Sequence, residues 1–329
     1  MNEREITLEL IRVTEAAALN SSKYLGLGDK EIVDQAAVDA MRGMLELVDV
    51  KGTIVIGEGE KDKAPMLYVN EHVGNWSEDS PEMDIAVDPI DGTRLVANGL
   101  PNAISVMAAS ERGKLASLPT FYSQKLACGP ELAGKLDINA SIRENVKIAA
   151  AVLGIDVNEL TIVVLNRKRH EALIDEIRKV GARIKLISDG DIAAAIATAL
   201  PDSGVNLYMG IGGSPEGVLA AAALKALGGE IQLKLAPTDE EKQKLGDVDL
   251  DNVYFTDDLA GGDNVIFSAT GVTDGDMLKG VRYYKNRIIT YTIAMRSKTH
   301  TVRKVEALHD LAYKTIALES KGIDVKFSM

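Results

Sequence analysis

Apolar spacing in the first 150 positions predicts helices and strands that do not alternate regularly. Apolar residues from Ile6 to Leu19 fall at helical spacing, and a second helix is predicted from about Ile32 to Val48. The β-branched run from Thr53 to Ile56 and the apolar stretch from Ala103 to Ala109 predict strands. This half of the chain is therefore expected to be α+β.

The second half shows a regular order of one strand followed by one helix, three times over. The predicted pairs are strand Thr161–Leu165 with helix 168–180, strand Arg183–Ile187 with helix 191–200, and strand Val205–Ile211 with helix 215–227. Further strands are predicted at Val265–Thr270, Ile288–Met295 and His300–Val305. The alternation is typical of an α/β fold with a mostly parallel sheet covered on both faces. We expect two lobes, an α+β lobe at 1–150 and an α/β lobe at 151–329.

Length and composition agree with a globular protein of two lobes. The chain has 329 residues, and single cores stop growing near roughly 250 to 300 residues. Its residues are 46% apolar and 26% charged, as in ordinary soluble domains. A net charge of −12 opposes binding to nucleic acid or to an anionic membrane. An anionic ligand would therefore need a local device such as a bound cation.

Cysteine usage and the terminal sequence favour the cytoplasm. Cys128 is the single cysteine, so no intrachain disulfide can form, and it is expected to fill space in the core. The N-terminus lacks the basic start and apolar stretch of a signal peptide. The longest apolar tract, Gly217 to Leu227, is interrupted by Lys225 and is too short to cross a bilayer.

The segment from Asp84 to Thr93 carries the strongest chemical signal. It reads Asp-Ile-Ala-Val-Asp-Pro-Ile-Asp-Gly-Thr, an apolar strand that ends in two carboxylates around a proline. Proline restricts its own backbone and that of Asp88, and Gly92 permits a sharp turn, so Asp88 and Asp91 can converge on one point. A polar β-turn is the alternative for any one of these residue pairs. The ordered set behind a strand favours a cation site next to a phosphate.

Other strand and helix ends supply further carboxylates. A second strand runs directly into Gly57-Glu58-Gly59-Glu60-Lys61-Asp62, and Glu216 lies among glycines at the start of a predicted helix. Asp34 heads an apolar helix face, where it is either a metal ligand or a partner of the helix dipole. Oxygen ligands without cysteine or histidine suit Mg²⁺ or Mn²⁺. The candidate metal ligands are Asp34, Glu58, Asp88, Asp91 and Glu216.

Three strand-to-helix turns in the second half are the expected ligand edge of the sheet. The first turn, 166–170, is basic and suits a phosphate, although a solvated helix start is an equal alternative. The second, 188–191, holds two Asp around a Gly, which suits sugar hydroxyls or a simple helix cap. The third, 210–217, is rich in glycine and allows close approach of the backbone.

Together these features indicate hydrolysis of a phosphate ester. Phosphate monoesters react very slowly in water, and two divalent cations can neutralise the substrate, activate water and stabilise the leaving oxygen. Thr93 is placed to orient the attacking water, with Asp62 or Glu60 accepting its proton.

The motifs resemble those of class II fructose-1,6-bisphosphatases over nearly the whole chain. They are Gly28-Asp29-Lys30 with Asp34, the segment 54–60, Asp88 to Thr93, Asp189-Gly190-Asp191, Gly210 to Gly217, and Ile266 to Gly271. The element Asp-Pro-Ile-Asp-Gly-Thr alone marks the wider lithium-sensitive phosphatase superfamily. The resemblance implies a layered αβαβα sandwich, Mg²⁺ or Mn²⁺ dependence, a cytoplasmic homo-oligomer (dimer or tetramer), and gluconeogenic release of the 1-phosphate of fructose 1,6-bisphosphate.

Matched residue by residue, the resemblance puts the metal ligands on the five carboxylates named above. It implies substrate contacts at Asp91, Gly92, Thr93, Tyr122, Arg167, Lys168, Arg169, Asp189, Gly190, Asp191 and Gly213. Two positions depart from the family, since many members carry Glu at position 91 and Pro at position 168. Alternative substrates are sedoheptulose 1,7-bisphosphate, both bisphosphates, or an inositol phosphate. The alternative from another class is a catalytically silent regulator that binds sugar phosphate.

Overall fold

The computed structural model describes residues 3–59, 66–320 and 322–327. These residues form two compact units, which we describe separately. Unit 1 combines Met1–Leu115 with Gly262–Met329, and unit 2 is the intervening segment Ala116–Gly261. The lobes predicted at 1–150 and 151–329 therefore differ from the observed division.

The described residues form nine α-helices and sixteen β-strands. The first part of unit 1 contains α1 (Glu3–Ser22), α2 (Lys30–Leu45), β1 (Lys51–Ile56), β2 (His72–Val73), β3 (Glu82–Asp91), α3 (Thr93–Ala97) and β4 (Ile104–Glu111). Unit 2 contains β5 (Tyr122–Cys128), α4 (Ile142–Leu153), β6 (Thr161–Leu165), α5 (Glu171–Val180), β7 (Arg183–Ile187), α6 (Asp191–Ala197), β8 (Leu207–Gly213), α7 (Ser214–Leu227), β9 (Glu230–Leu235), α8 (Asp239–Lys242), β10 (Val253–Tyr254) and α9 (Thr256–Leu259). The second part of unit 1 contains β11 (Ile266–Gly271), β12 (Arg282–Tyr284), β13 (Arg287–Arg296), β14 (Thr301–Asp310), β15 (Thr315–Leu318) and β16 (Gly322–Lys326).

Unit 1 is built on a mixed sheet of eight strands with α1 and α2 packed against it. The strand order is β12-β13-β11-β4-β3-β1-β2, and β14 pairs with β13. Apolar side chains of the two helices and of the central strands form one core, represented by Leu10, Met41, Ile85 and Met107. The helix and strand positions predicted in this part of the chain agree with the structure to within a few residues.

The boundary of unit 1 is decided by a long-range strand pairing. β11 pairs antiparallel with β4, from Ile266 opposite Ala109 to Gly271 opposite Ile104. These strands are separated by the whole of unit 2, so local apolar spacing contains no sign that they are neighbours. The carboxyl-terminal strands therefore complete the first unit instead of extending the second.

Unit 2 also has a mixed sheet, so the prediction of a mostly parallel sheet was wrong. Its order is β10-β9-β5-β8-β6-β7, with β6 parallel to both β7 and β8. β5 lies between β8 and β9 and is antiparallel to both. The three predicted strand-and-helix pairs are present, but they could not reveal that an earlier strand inserts beside them. As predicted, Cys128 is a buried core residue, and burial raises the pKa of its thiol to about 12.

Each unit thus combines a mixed sheet with helices, which agrees with the expected α/β sandwich class. Within the described parts of the chain, none of the helices combines the length and apolar character needed to cross a membrane.

Asp84 at the buried start of the motif strand has a structural role. Its carboxylate pairs with the Arg112 guanidinium and accepts hydrogen bonds from the backbone N–H groups of Lys114 (2.7 Å) and Leu115 (3.1 Å). These contacts tie β3 to the turn that follows β4.

Replacing Asp84 with alanine is expected to lower the free energy of unfolding by about 2 to 4 kcal/mol, because amide donors next to a buried site lose their acceptor. Urea denaturation measures the change. The matched control is Glu82→Ala, an exposed residue on the same strand, with an expected change within about 0.5 kcal/mol. Equal losses in the two variants would contradict the structural role.

A second buried polar group connects β14 to α1. Thr290 donates to Glu15 Oε1 (2.9 Å), so Nε2 of His309 must be the donor in its 2.8 Å contact with the Thr290 hydroxyl. When the ring of His309 is neutral, its proton is therefore on Nε2. Burial and the positive charge of Lys314 lower the pKa of His309 to about 4.

Because this pKa lies below the unfolded value of 6.5, the contribution of neutral His309 to stability is complete above pH 6.5 and is lost as the pH falls toward 4. The slope from this one group is at most about 1.4 kcal/mol per pH unit. The free energy of unfolding in urea is measured for the native protein and for His309→Gln at pH 7, 6 and 5, at fixed protein concentration. The difference between the two proteins isolates the contribution of His309. We expect the free energy of unfolding to fall less steeply with decreasing pH in the variant than in the native protein. Identical pH dependence in the two proteins would exclude His309 as the cause.

Candidate active site

A β-bulge brings Asp88 and Asp91 to the same face of the sheet. Asp88 pairs with Val106 and Asp91 with Ile104, so three steps along β3 correspond to two steps along β4. Side chains alternate between faces of a regular strand, and carboxylates three positions apart would point in opposite directions. The extra residue in β3 removes this difference, as bulges do next to functional sites. The motif contains Pro89, a residue that a bulge tolerates, but the register between β3 and β4 is visible only in the structure.

Gly92 and Thr93 turn the chain immediately after the bulge. Gly92 has φ of 91°, and a side chain there would press against Leu95. The Thr93 hydroxyl lies 3.3 Å from the carbonyl oxygen of Ile90 and hydrogen-bonds the side chain of Asp34. Thr93, predicted as a catalytic residue, therefore contacts one predicted metal ligand directly.

Asp34 and Glu58 form a close pair of carboxylates in unit 1. Burial and the Asp34 charge raise the pKa of Glu58 to about 7. Burial also raises the pKa of Asp34, although Lys30 and the Thr93 hydroxyl partly oppose this. A buried carboxylate whose charge is further disfavoured by a neighbouring acid is a suitable environment for a cation, which would relieve the repulsion.

The five predicted metal ligands belong to different units, with Glu216 in unit 2 and the others in unit 1. In the described parts of the chain, no three Asp, Glu, His or Cys side chains are grouped closely enough to hold a metal ion. Glu60 and Asp62, the predicted proton acceptors, lie outside the described residues.

Unit 2 brings most of the predicted substrate residues together at one edge of its sheet. Tyr122 at the start of β5 is the direct partner of Gly213 at the end of β8. The Arg169 guanidinium carbon lies 5.0 Å from the centre of the Tyr122 ring, and its Nη2 donates to the Ile211 carbonyl (2.8 Å). Tyr122 had no sequence signal of its own, and its position depends on the insertion of β5.

The basic turn and the Asp-Gly-Asp turn face each other. Arg167 lies 3.8 Å from Asp189, and Lys168 is exposed in a short 3-10 turn. Gly190 has φ of 85°, so this turn places Asp189 and Asp191 on either side of a left-handed residue. The two turns are therefore joined by an ion pair of partly exposed side chains.

Lys125 is a buried residue that the sequence analysis did not identify. Its Nζ pairs with Asp191 Oδ2 at 2.8 Å, and the hydroxyl of Tyr208 lies 3.2 Å from the same oxygen. Lys125 lies on β5, which was not predicted, so nothing in the sequence linked it to Asp191.

Glu216 lies in the first turn of α7, next to this pair. Burial and the Asp191 charge raise the pKa of Glu216, and Lys125 partly offsets the effect. Its Oε2 atom is buried without a hydrogen-bond partner among the described residues. A Cβ at Gly213 would overlap the Glu216 carboxylate, and one at Gly212 would overlap Asp191. A side chain at either position would therefore displace one of these carboxylates, and Glu216 presents an oxygen suited to a cation.

His170 connects the basic turn to the glycine-rich turn, and sequence reasoning gave it no role. The backbone N–H of Ile211 donates to Nε2 (2.8 Å), so Nδ1 carries the proton and donates to the carbonyl of Leu165 (2.7 Å). Burial and the charges of Arg169 and Arg167 lower the pKa of His170. The neutral ring therefore holds the end of β6 and the end of β8 in fixed relation.

Acidic strand ends in one unit and a basic, glycine-rich sheet edge in the other are features of a phosphatase that acts on a phosphorylated sugar. Comparison with known proteins agrees. A family model for bacterial fructose-1,6-bisphosphatase, glpX-encoded, matches residues 4–309, and this chain belongs to that family.

Curated relatives are similar over nearly their full length. Fructose-1,6-bisphosphatase 1 class 2 of Escherichia coli strain K12 is 44% identical over 327 residues, covering 94% of this chain and 97% of that protein. The fructose-1,6-bisphosphatase class 2 proteins of Escherichia coli O6:H1 and of Shigella flexneri match with the same identity and coverage.

Replacing His170 with alanine is expected to expose the Ile211 amide to exchange and to lower the free energy of unfolding by about 2 to 4 kcal/mol. Hydrogen exchange and urea denaturation measure the two effects. His170→Gln retains a donor and an acceptor and is expected to lose less in both measurements. Full protection of the Ile211 amide in the alanine variant would contradict the proposed connection.

Proposed function

We propose that this protein hydrolyses the 1-phosphate of fructose 1,6-bisphosphate, releasing fructose 6-phosphate and phosphate in gluconeogenesis. The observation that carries this proposal is the 44% identity to class 2 fructose-1,6-bisphosphatases, which extends over 94% of the chain and thus includes both units. Identity at this level and extent does not favour the alternative substrates or a silent regulator.

Unit 2 is proposed to bind the sugar and the phosphate that is not cleaved. Arg167, Lys168 and Arg169 supply positive charge in a protein whose net charge is negative, and Arg binds phosphate oxygens in a two-point arrangement. Asp189 and Asp191 would accept hydrogen bonds from sugar hydroxyls, and the backbone of Gly213 would approach the ligand closely. The contact of Arg169 with Tyr122 supports a shared surface for these groups.

The carboxylates of both units are proposed to bind Mg²⁺ or Mn²⁺ at two or more sites. Asp34, Glu58, Asp88 and Asp91 would be the ligands of unit 1, and Glu216 would be that of unit 2. The raised pKa of Glu58 beside Asp34, and the buried unpartnered oxygen of Glu216, fit hard cations. Bound ions would neutralise the phosphate, lower the pKa of an attacking water and stabilise the leaving oxygen.

Residues of this chain would orient and deprotonate the attacking water. Thr93 is proposed to hydrogen-bond that water, since its hydroxyl stands between Asp34 and the bulged end of β3. Gly92 and Thr93 would present backbone N–H groups to the phosphate beside Asp91. Glu60 or Asp62 would accept the proton. We further propose a cytoplasmic homo-oligomer, a dimer or tetramer, that binds neither nucleic acid nor membrane.

The proposal is tested by phosphate release from fructose 1,6-bisphosphate, sedoheptulose 1,7-bisphosphate, fructose 6-phosphate and inositol 1-phosphate, each with Mg²⁺ or Mn²⁺. We expect fructose 1,6-bisphosphate to give the highest kcat/KM and a chelator to abolish turnover. Asp88→Asn is expected to reduce kcat at least about 10- to 100-fold, because a ligand loses its charge. Glu82→Gln, the same change at an exposed position of β3, is the matched control and should retain activity.

Arg167→Ala tests the proposed binding of the second phosphate by the basic turn separately from the proposed metal site. Loss of a charged phosphate contact should raise KM for fructose 1,6-bisphosphate about tenfold or more and leave kcat less affected. Equal effects on a bisphosphate and on inositol 1-phosphate would overturn the assignment of the basic turn to a second phosphate. Unchanged turnover in Asp88→Asn would overturn the proposed metal site.

A further inference from the structure

β14 is a long strand at an edge of the unit 1 sheet. It pairs with β13 over all ten residues, from Thr301 opposite Arg296 to Asp310 opposite Arg287. The described strands provide no second neighbour for it. Edge strands of this length can pair with another chain, and proteins usually shorten, cover or charge them to prevent this. β14 is ten residues long, so its unpaired edge needs an explanation.

The side chains on one face of β14 form a symmetric pattern. Val302, Lys304, Glu306 and Leu308 are all exposed, in the order apolar, positive, negative, apolar. Val302 is 37% exposed and Leu308 is 56% exposed, although both are apolar. On the other face His309 turns toward Thr290 and α1. Reversing the direction of the exposed row exchanges its two charges and leaves its apolar ends apolar, which makes the row complementary to itself.

We propose that β14 pairs antiparallel with β14 of a second copy of this chain, about a two-fold axis that passes through Val305. In this register Val302 lies opposite the partner's Leu308, and Lys304 lies opposite the partner's Glu306. The symmetry repeats each pair, so the interface contains two apolar pairs and two pairs of opposite charge. Cross-strand pairs of these kinds stabilise antiparallel sheets.

Charge selects this register over its neighbours. In a two-fold antiparallel pairing, residues directly opposite each other point to the same face of the sheet. The axis must therefore pass through a residue, and the register can shift only by moving the axis to another residue. Moving the axis by one residue in one direction places Lys304 opposite the partner's Lys304. Moving it in the other direction places Glu306 opposite the partner's Glu306. Like charges directly opposite are destabilising, so the charged residues oppose slipped pairings and permit the symmetric one.

The second face accepts the same register. Val305 meets the partner's Val305 on the axis, and Arg303 meets the partner's Ala307, so no like charges are opposed. Because each copy carries a net charge of −12, general electrostatics repel the two chains, and association depends on local complementarity of this kind. The resulting interface is isologous, and the two unit 1 sheets become continuous. The proposed catalytic function is not needed for this inference.

A charge exchange tests the register directly. Sedimentation equilibrium of the native protein should show a dimer, and Lys304→Glu or Glu306→Lys should each weaken the dimer about tenfold or more, since both symmetric pairs become repulsive. The double variant Lys304→Glu with Glu306→Lys should have the same dimer dissociation constant as the native protein. A monomeric native protein, or single variants that dimerise normally, would overturn the proposal. Failure of the double variant to restore association, with the fold intact by circular dichroism, would also overturn it.

Cross-linking provides a test that does not depend on charge. Val305→Cys places two cysteines opposite each other on the axis, whereas Arg303→Cys places each opposite the partner's Ala307. The native Cys128 is buried and does not compete. Mild oxidation should give a disulfide-linked dimer with Val305→Cys and much less with Arg303→Cys on a non-reducing gel. Equal cross-linking of the two variants, or none with Val305→Cys, would exclude this register.

Discussion

The bulge near the end of β3 is the constraint on which the unit 1 site depends. A regular strand would direct Asp88 and Asp91 to opposite faces, and one of the two carboxylates would then enter the core without a partner. The additional residue in β3 keeps both on one face while the rest of the strand stays paired with β4. Pro89 has no N–H to donate, so it fits where the ladder is interrupted. The turn at Gly92 then brings Thr93 to Asp34.

The buried carboxylates of the two units have different electrostatic surroundings. In unit 1, burial raises the pKa values of Asp34 and Glu58, the Asp34 charge adds to the effect at Glu58, and added positive charge would stabilise both carboxylates. In unit 2, Lys125 already supplies a positive charge to Asp191, next to Glu216. Asp191 of unit 2 thus has its own cationic partner, whereas Glu216 and the acids of unit 1 would gain from an external cation.

Rigid connections support the binding edge of unit 2. His170 joins the ends of β6 and β8, Arg169 caps the carbonyl of Ile211, and Tyr122 pairs with Gly213 across two strands. Each contact fixes backbone next to a residue that the resemblance assigns to the substrate. Phosphate and hydroxyl recognition needs such fixed geometry, because each displaced hydrogen bond reduces the free energy of binding.

The sequence by itself determined the α/β class, most helices and strands, the family and the carboxylate motif, because these depend on local spacing and on short ordered residue sets. Only the tertiary structure decided the division into units, the antiparallel insertion of β5, the bulge in β3, and the roles of Lys125 and His170. The physical reason is the same in each case. Strand pairing joins segments far apart in the chain, as β11 and β4 are, and a buried polar residue acquires its role from the partners that such pairing brings to it.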